Sequence, residues 1–266
     1  MMSNLSEKNR IETDLLGSRE ISCDALYGVQ TLRGIENFQI SNFRLSQYPE
    51  FINGLAITKM AAAIANRQLG VLSEEKEKAI LDACKEILDG KHHDQFPLDM
   101  IQGGAGTTTN MNANEVIANR GLQLMGHEPG EFKYLSPNDD VNCAQSTNDA
   151  YPTAIHIGMW YANKRFIEHY KGLIAALRTK AEELKNIVKI GRTQLQDAVP
   201  MTLGQTFNGF ASILEDEIKH IEEAADDFLT VNMGATAIGT GITAEPGYAE
   251  KCVEAMRTIT GCDFRL

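Results

Sequence analysis

Ser146-Thr147-Asn148-Asp149-Ala150-Tyr151-Pro152-Thr153 stands just before the longest regular pattern in the chain. After it, Ile155, Met159, Ala162, Phe166, Tyr170, Leu173, Leu177, Ala181, Leu184 and Val188 recur at intervals of three and four. That period predicts one helix of about nine turns, roughly 50 Å long at about 1.5 Å per residue. Helices of this length belong to bundles or coiled coils, so the fold class is mainly α. The octapeptide places two hydroxyls, an amide and a carboxylate where the helix begins. A helix start offers unpaired N–H groups and the positive end of the macrodipole, which suits an anion. The plainer reading is that Ser146 or Asp149 caps the helix and Pro152 fills its first turn.

Toward the C-terminus, Gly191-Arg192-Thr193-Gln194-Leu195-Gln196-Asp197-Ala198-Val199-Pro200 interrupts the period as a polar loop. Phe207, Ala211, Leu214, Ile218, Ile221, Ala225 and Phe228 then form a second apolar stripe, predicting an antiparallel helix pair. Gly234 to Gly241 reads as a flexible loop and Ala249 to Ile259 as a further helix.

Toward the N-terminus, Phe51 to Leu69 predicts a helix that stops at Gly70. Ser73 predicts the N-cap of another, buried through Ile80, Cys84 and Ile87 and ended by Gly90. Lys91-His92-His93-Asp94 reads as a polar turn. Residues 101–120, IQGGAGTTTNMNANEVIANR, form a second donor-rich helix start, in which Asn112 and Glu115 have capping-box spacing. Residues 11–48 read as loops with short strands.

Composition narrows the function. The chain has 266 residues, is 43% hydrophobic and carries a net charge of −11. An acidic surface disfavours nucleic acid and anionic membranes as partners. Five cysteines, an odd number without a C-x-x-C pair, point to a reducing, cytoplasmic setting. The N-terminus, Met1 to Lys8, is polar and is not a secretory signal. No apolar run approaches the roughly 20 residues that span a bilayer.

Several chemistries fit poorly. Gly104-Ala105-Gly106 lacks the third glycine of a dinucleotide fingerprint, Thr109 standing in its place, and no Gly-Lys-Ser/Thr follows for a P-loop. The histidines have no metal-ligand spacing, so no metal is expected. Cys143 has no neighbouring histidine to activate it. What recurs is neutral donors in three loops: Thr107 to Thr109, Ser146 to Asn148, and Thr193 with Gln194. Such donors suit recognition of a carboxylate. They also suit a reaction that builds negative charge on a carboxylate when a proton leaves the adjacent carbon.

GGAGTTTNMNANEV, QSTNDAYPT and KIGRTQLQDAVPMTLGQ resemble the signature segments of the aspartase/fumarase superfamily. STND, TQLQDAVP and DLLGSREISCDALYGVQTLRGIENF resemble its aspartase branch. The resemblance runs from about Glu12 to about Gly261. It implies a helical N-terminal domain (1–145) and the first, truncated part of a central long-helix bundle (146–266). It implies a homotetramer whose sites draw on three subunits, and reversible elimination of ammonia from L-aspartate to give fumarate, without a cofactor. By motif, Thr107, Ser146 and Thr147 would hold the β-carboxylate and Asn148 the amino group. Thr193, with Gln194 alongside, would bind the α-carboxylate side. Gln194 replaces a histidine found in other members. The general base of the superfamily is a serine on a GSSxMPxKxN-type loop. No such segment occurs here, so the expected chain holds substrate, carries no catalytic residue and is inactive alone. The alternatives are a fumarase-type hydro-lyase and a non-catalytic helical oligomerisation fragment.

Overall fold

A computed structural model describes residues 9–266; Met1 to Lys8, read above as polar, lie outside the described residues. The described fold is mainly helical, with two antiparallel two-stranded sheets. It divides into two compact units: the chain through Met159 together with Leu229–Leu266, and Trp160–Phe228.

In the first unit, residues 11–48 hold more order than the sequence suggested. Strand β1 (Asn9–Asp14) pairs with β2 (Gly17–Ser22), and α1 (Val29–Asn37) follows. Gly28 gives α1 no side-chain cap, and two distant carboxylates supply one. Glu12 accepts from Val29 N at 2.9 Å. Glu115 accepts from the backbone N–H of Gly28 (2.8 Å), Gln30 (2.8 Å) and Thr31 (3.0 Å), and from the Thr31 hydroxyl (2.7 Å). Acidic groups belong at a helix start, but these lie too far along the chain for a local pattern to reveal.

The same bonds overturn the capping-box reading of Asn112 and Glu115. Helix α4 (Thr107–Leu124) starts earlier, from Gly106 at φ 87°, and buries both residues in its interior. Glu115 is used to cap α1, and the Asn112 amide donates to Gln95 O at 3.1 Å.

Helix α2 (Pro49–Gln68) is buried on most sides and packs on α3 (Glu74–Leu88) and α7 (Tyr248–Thr260). Ser73 caps α3 as expected, accepting from Lys76 N. Leu55, Ile80, Cys84, Ile87, Phe96, Val116 and Ile117 belong to the core. The Nε2 atoms of His92 and His93 lie 2.9 Å from Glu86 Oε2 and 2.9 Å from Ile87 O.

Glu86 also accepts from Arg120 Nε at 2.6 Å. That guanidinium holds the Glu86 carboxyl down at about 2, burial opposing it and His92 assisting. The folded state thus keeps this group charged more strongly than the unfolded chain does. Its contribution is present above the ordinary value of 4.5 and is lost as pH falls toward 2. Urea unfolding of Glu86→Gln should accordingly depend less on pH across that window than unfolding of the parent chain. Equal slopes would refute the assignment.

Helix α5 (Thr147–Glu183) begins in this unit and ends in the other. The predicted stripe runs past its end: Val188 opens strand β3 (Val188–Thr193), which pairs with β4 (Gln196–Thr202). What the sequence suggested was a loop is therefore a β-hairpin. Gln194 and Leu195 both have positive φ (47° and 65°), the mirror-image turn that suits a two-residue hairpin. Helix α6 (Leu203–Asp226) follows, with a Thr202–Gln205 capping box.

Within the second unit the two helices run antiparallel, as Arg178 pairs with Glu215 and Lys171 with Glu222. Ile167, Ile174 and Ala181 are buried on α5, and Ala211 and Ala225 on α6. Phe166 and Leu173, both of the predicted stripe, are each 50% exposed. The stripe therefore comprises two faces of one helix, and only one is covered within this chain.

Candidate functional site

The start of α5 is built by reciprocal capping. Ser146 Oγ accepts from Asn148 N at 3.2 Å, while Asp149 Oδ1 accepts from Ser146 N at 2.9 Å. The capping reading holds, with one change. Pro152 lies in the second turn, inside the helix. Lacking an N–H, it leaves the carbonyl of Asn148 without its usual helical partner. Asn232 Nδ2 takes that place, donating to Asn148 O at 3.1 Å.

Asp149 is fully buried, and its second oxygen accepts from Gly234 N and Thr236 N, both at 3.0 Å. The Asn148 amide donates to Ala237 O at 2.8 Å. A carbonyl can only accept, so this bond fixes the amide and leaves Asn148 Oδ1 as an acceptor for a ligand. The 234–241 loop, given no role from sequence, is thus what holds this helix start in place. Ser146 and Thr147 are half-buried and Asn148 is exposed.

The start of α4 meets the start of α5. A Cβ on Gly106 would lie 2.4 Å from the Tyr151 ring, so only glycine fits there, and its left-handed backbone also favours glycine. Thr107, first in α4, is exposed; Thr109 is buried, its N–H bonded to Gln102. One turn on, Asn110 Nδ2 donates to Asn142 Oδ1 at 3.0 Å and to Thr147 Oγ1 at 3.4 Å.

Beneath lies Lys59, 1% exposed, which the sequence reading passed over. Its ammonium donates to Asn110 Oδ1 (2.7 Å), Asn142 Oδ1 (3.0 Å) and Gln145 Oε1 (2.8 Å). Burial brings its pKa down to about 7, with the charge of Asp149 opposing that fall. A signal was present: Lys59 occupies the apolar phase of α2 with Ile52, Leu55 and Met60, where a lysine is out of place.

Thr193 ends β3 and Gln194 opens its turn; both belong to the second unit and are exposed. Burial, with Asp140 and Asp139 nearby, raises the Cys143 pKa and so disfavours its thiolate. Among the described residues no cluster of His, Cys, Asp or Glu could hold a metal, and no helix is long and apolar enough to cross a membrane. A groove of about 480 Å³ beside the β1–β2 turn contains none of the donor residues named above.

Known proteins resemble this chain in sequence and in fold. Residues 17–265 match the family model described as Lyase. The aspartate ammonia-lyase of Pseudomonas aeruginosa is 55% identical over 254 residues, covering 95% of this chain and 54% of that protein. The aspartate ammonia-lyase of Escherichia coli K12 is 51% identical, covering 97% and 54%. Among solved structures, a cobalt-bound fumarate lyase:delta crystallin from Brucella melitensis superposes with a TM-score of 0.93 at 47% identity, covering 97% of this chain and 56% of that one. The class II fumarase of Schistosoma mansoni gives 0.85 at 34% identity, covering 96% and 53%. The chain spans about half the length of the curated relatives it matches. With its signature segments, helical fold and relatives in agreement, the chain belongs to the lyase family of the aspartase/fumarase superfamily.

Proposed function

We propose that the protein carrying this chain eliminates ammonia from L-aspartate to give fumarate, reversibly. The observation that supports this most is the meeting of two donor-lined helix starts. At α5, the Ser146 oxygen and the Asn148 amide nitrogen are already engaged by the fold. The Ser146 hydroxyl hydrogen and Asn148 Oδ1 remain to meet a carboxylate and an ammonium respectively. In this reading Thr107, Ser146 and Thr147 hold the β-carboxylate. As the Cβ proton leaves, charge moves onto that carboxylate and the donors stabilise it. The C–N bond then breaks and ammonia departs. Asn148 receives the amino group, and Thr193 and Gln194 serve the α-carboxylate side. No residue of this chain is assigned the proton abstraction.

The protein works in this reading as a homotetramer, supported by the exposed Phe166, Leu173, Phe210 and Ile213. Light scattering on the native protein tests that.

For activity, fumarate formation should be followed by absorbance with aspartate and with malate as alternative substrates. Turnover of aspartate and not malate is expected, and the reverse would install the fumarase reading. Thr147→Val removes one donor to the developing charge and should lower kcat/KM about 100-fold or more, the usual cost of losing such a donor. Unchanged kinetics would remove Thr147 from the site.

A further inference from the structure

Lys59 is a buried cation without a carboxylate partner: among the described residues its hydrogen bonds run only to Asn110, Asn142 and Gln145. Asp149 acts on it only through space, without a hydrogen bond to the ammonium, and a buried charge so loosely compensated is expensive. Three amide oxygens solvate it but do not neutralise it. The direction of the bonds around it shows where its charge is felt.

An ammonium can only donate, so Asn110 must present Oδ1 to Lys59 and its NH2 to the other side. That NH2 reaches Thr147 Oγ1 at 3.4 Å. With its oxygen accepting there, the Thr147 hydroxyl hydrogen is directed away from Asn110. The order is Nζ–H to Oδ1, Nδ2–H to Oγ1, and then O–H to whatever lies beyond. Every donor points the same way, from a buried positive charge toward a half-buried hydroxyl at a helix start. Hydrogen bonds in such a chain polarise one another, and a low dielectric keeps the effect strong. The chain is complete only with an anion at its outer end.

We propose that Lys59 is a positioning residue for the carboxylate site, acting through Asn110 to orient the Thr147 hydroxyl as a donor and to supply the positive charge beneath the bound anion. This rests on the reading of Thr147 as a carboxylate ligand. Lys59 touches neither substrate nor reacting atoms. The titratable groups that act on it are Cys84 of α3 and Asp149 of α5. From α7, Tyr248 and Cys252 bear on Asp149 rather than on Lys59 directly. Helix α4 and the 142–145 segment offer it only amides.

The consequence is a pH dependence of ligand binding that a purely structural lysine would not produce. Burial has brought the Lys59 pKa to about 7, so it loses its proton as pH rises through neutrality. An anion at Thr147 favours the protonated form. Fumarate, a dianion throughout, should therefore bind the intact native protein progressively more weakly as pH climbs from about 6 to 9, by up to about tenfold per unit above neutrality.

Isothermal titration with fumarate across that range is the test. In Lys59→Met, fumarate affinity should fall roughly tenfold or more at the acid end, the scale of one charge-assisted hydrogen bond, and become flat with pH. Thr147→Val cuts the outer link while leaving Lys59 in place, and its weakened affinity should depend on pH less steeply than the parent's. Lys59→Arg should restore affinity at the alkaline end, because a guanidinium keeps its charge there. A folded Lys59→Met with parental affinity overturns the proposal, and so does a parental pH profile surviving in Thr147→Val. If Lys59→Met does not fold, Thr147→Val decides alone. A parent protein that does not bind fumarate at any pH rejects the functional reading itself, whereas tight binding with a flat profile rejects only the relay.

Discussion

Asp149→Ala is expected to destabilise the first unit by about 4 kcal/mol, more than any single hydroxyl in the site. The side chain is fully buried and accepts from the N–H groups of Ser146, Gly234 and Thr236. Alanine would leave those backbone donors unpaired, each costing about 1–3 kcal/mol when water cannot reach it. Asp149→Asn should cost less, about 2 kcal/mol, because one oxygen remains while the NH2 confronts a donor. Ser146→Ala removes only a cap and should cost about 1 kcal/mol. Urea midpoints at constant m-value rank the three. A loss below about 1 kcal/mol for Asp149→Ala would show that the 234–236 loop does not depend on this carboxylate.

The second large effect belongs to Gly54. A Cβ there would lie 2.2 Å from Ala154 O and 3.1 Å from Gly158 N. At Gly158, a Cβ would lie 3.0 Å from Phe51 Cα. Helices α2 and α5 therefore cross backbone against backbone, with no flexible side chain able to move aside. Gly54→Ala must part the helices, at about 3 kcal/mol, and Gly54→Leu should prevent folding. Lys59 lies about one turn along the same helix, so a tolerated shift would also drag its ammonium off Asn110. Gly172→Ala is the control: nothing lies within 4 Å of its added Cβ, and alanine in a helix interior should gain about 0.5–1 kcal/mol. A Gly54→Ala protein as stable as the control would show that the crossing is not tight.

Helices whose apolar period is local, α2, α3, α5 and α6, were legible in the sequence to within a few residues at most ends. The Ser73 cap and the Ser146 start were legible because a cap acts over three residues. Errors arose where a partner lies far along the chain. Asn112 and Glu115 satisfied a local template, but Glu115 gains more by capping α1. The stripe from Ile155 to Val188 was regular enough to hide its end, because apolar residues of β3 continue the helical period by chance. It also merged two faces, since periodicity marks which positions are apolar and not what covers them.

For the site, hydroxyls and amides were visible as types. The ammonium under Thr147 and the Asp149 anchor were not, because their meaning lies in contacts that only the fold creates. Roles for Thr107, Ser146, Thr147, Asn148, Thr193 and Gln194 came from the resemblance and stay with the proposed function.

The substitution of Asn232 for the hydrogen bond that Pro152 cannot make carries a consequence in time. Asn148 and Asp149 wait for partners 84 to 87 residues further on. On a ribosome adding roughly 5–20 residues per second, that separation corresponds to about 4 to 17 s in which α5 has begun but its first turn is unfinished. Throughout that interval an unpaired carbonyl and a carboxylate with only one bonded oxygen sit where the core should close. The start of α5 is therefore finished only once the 232–237 loop has been made.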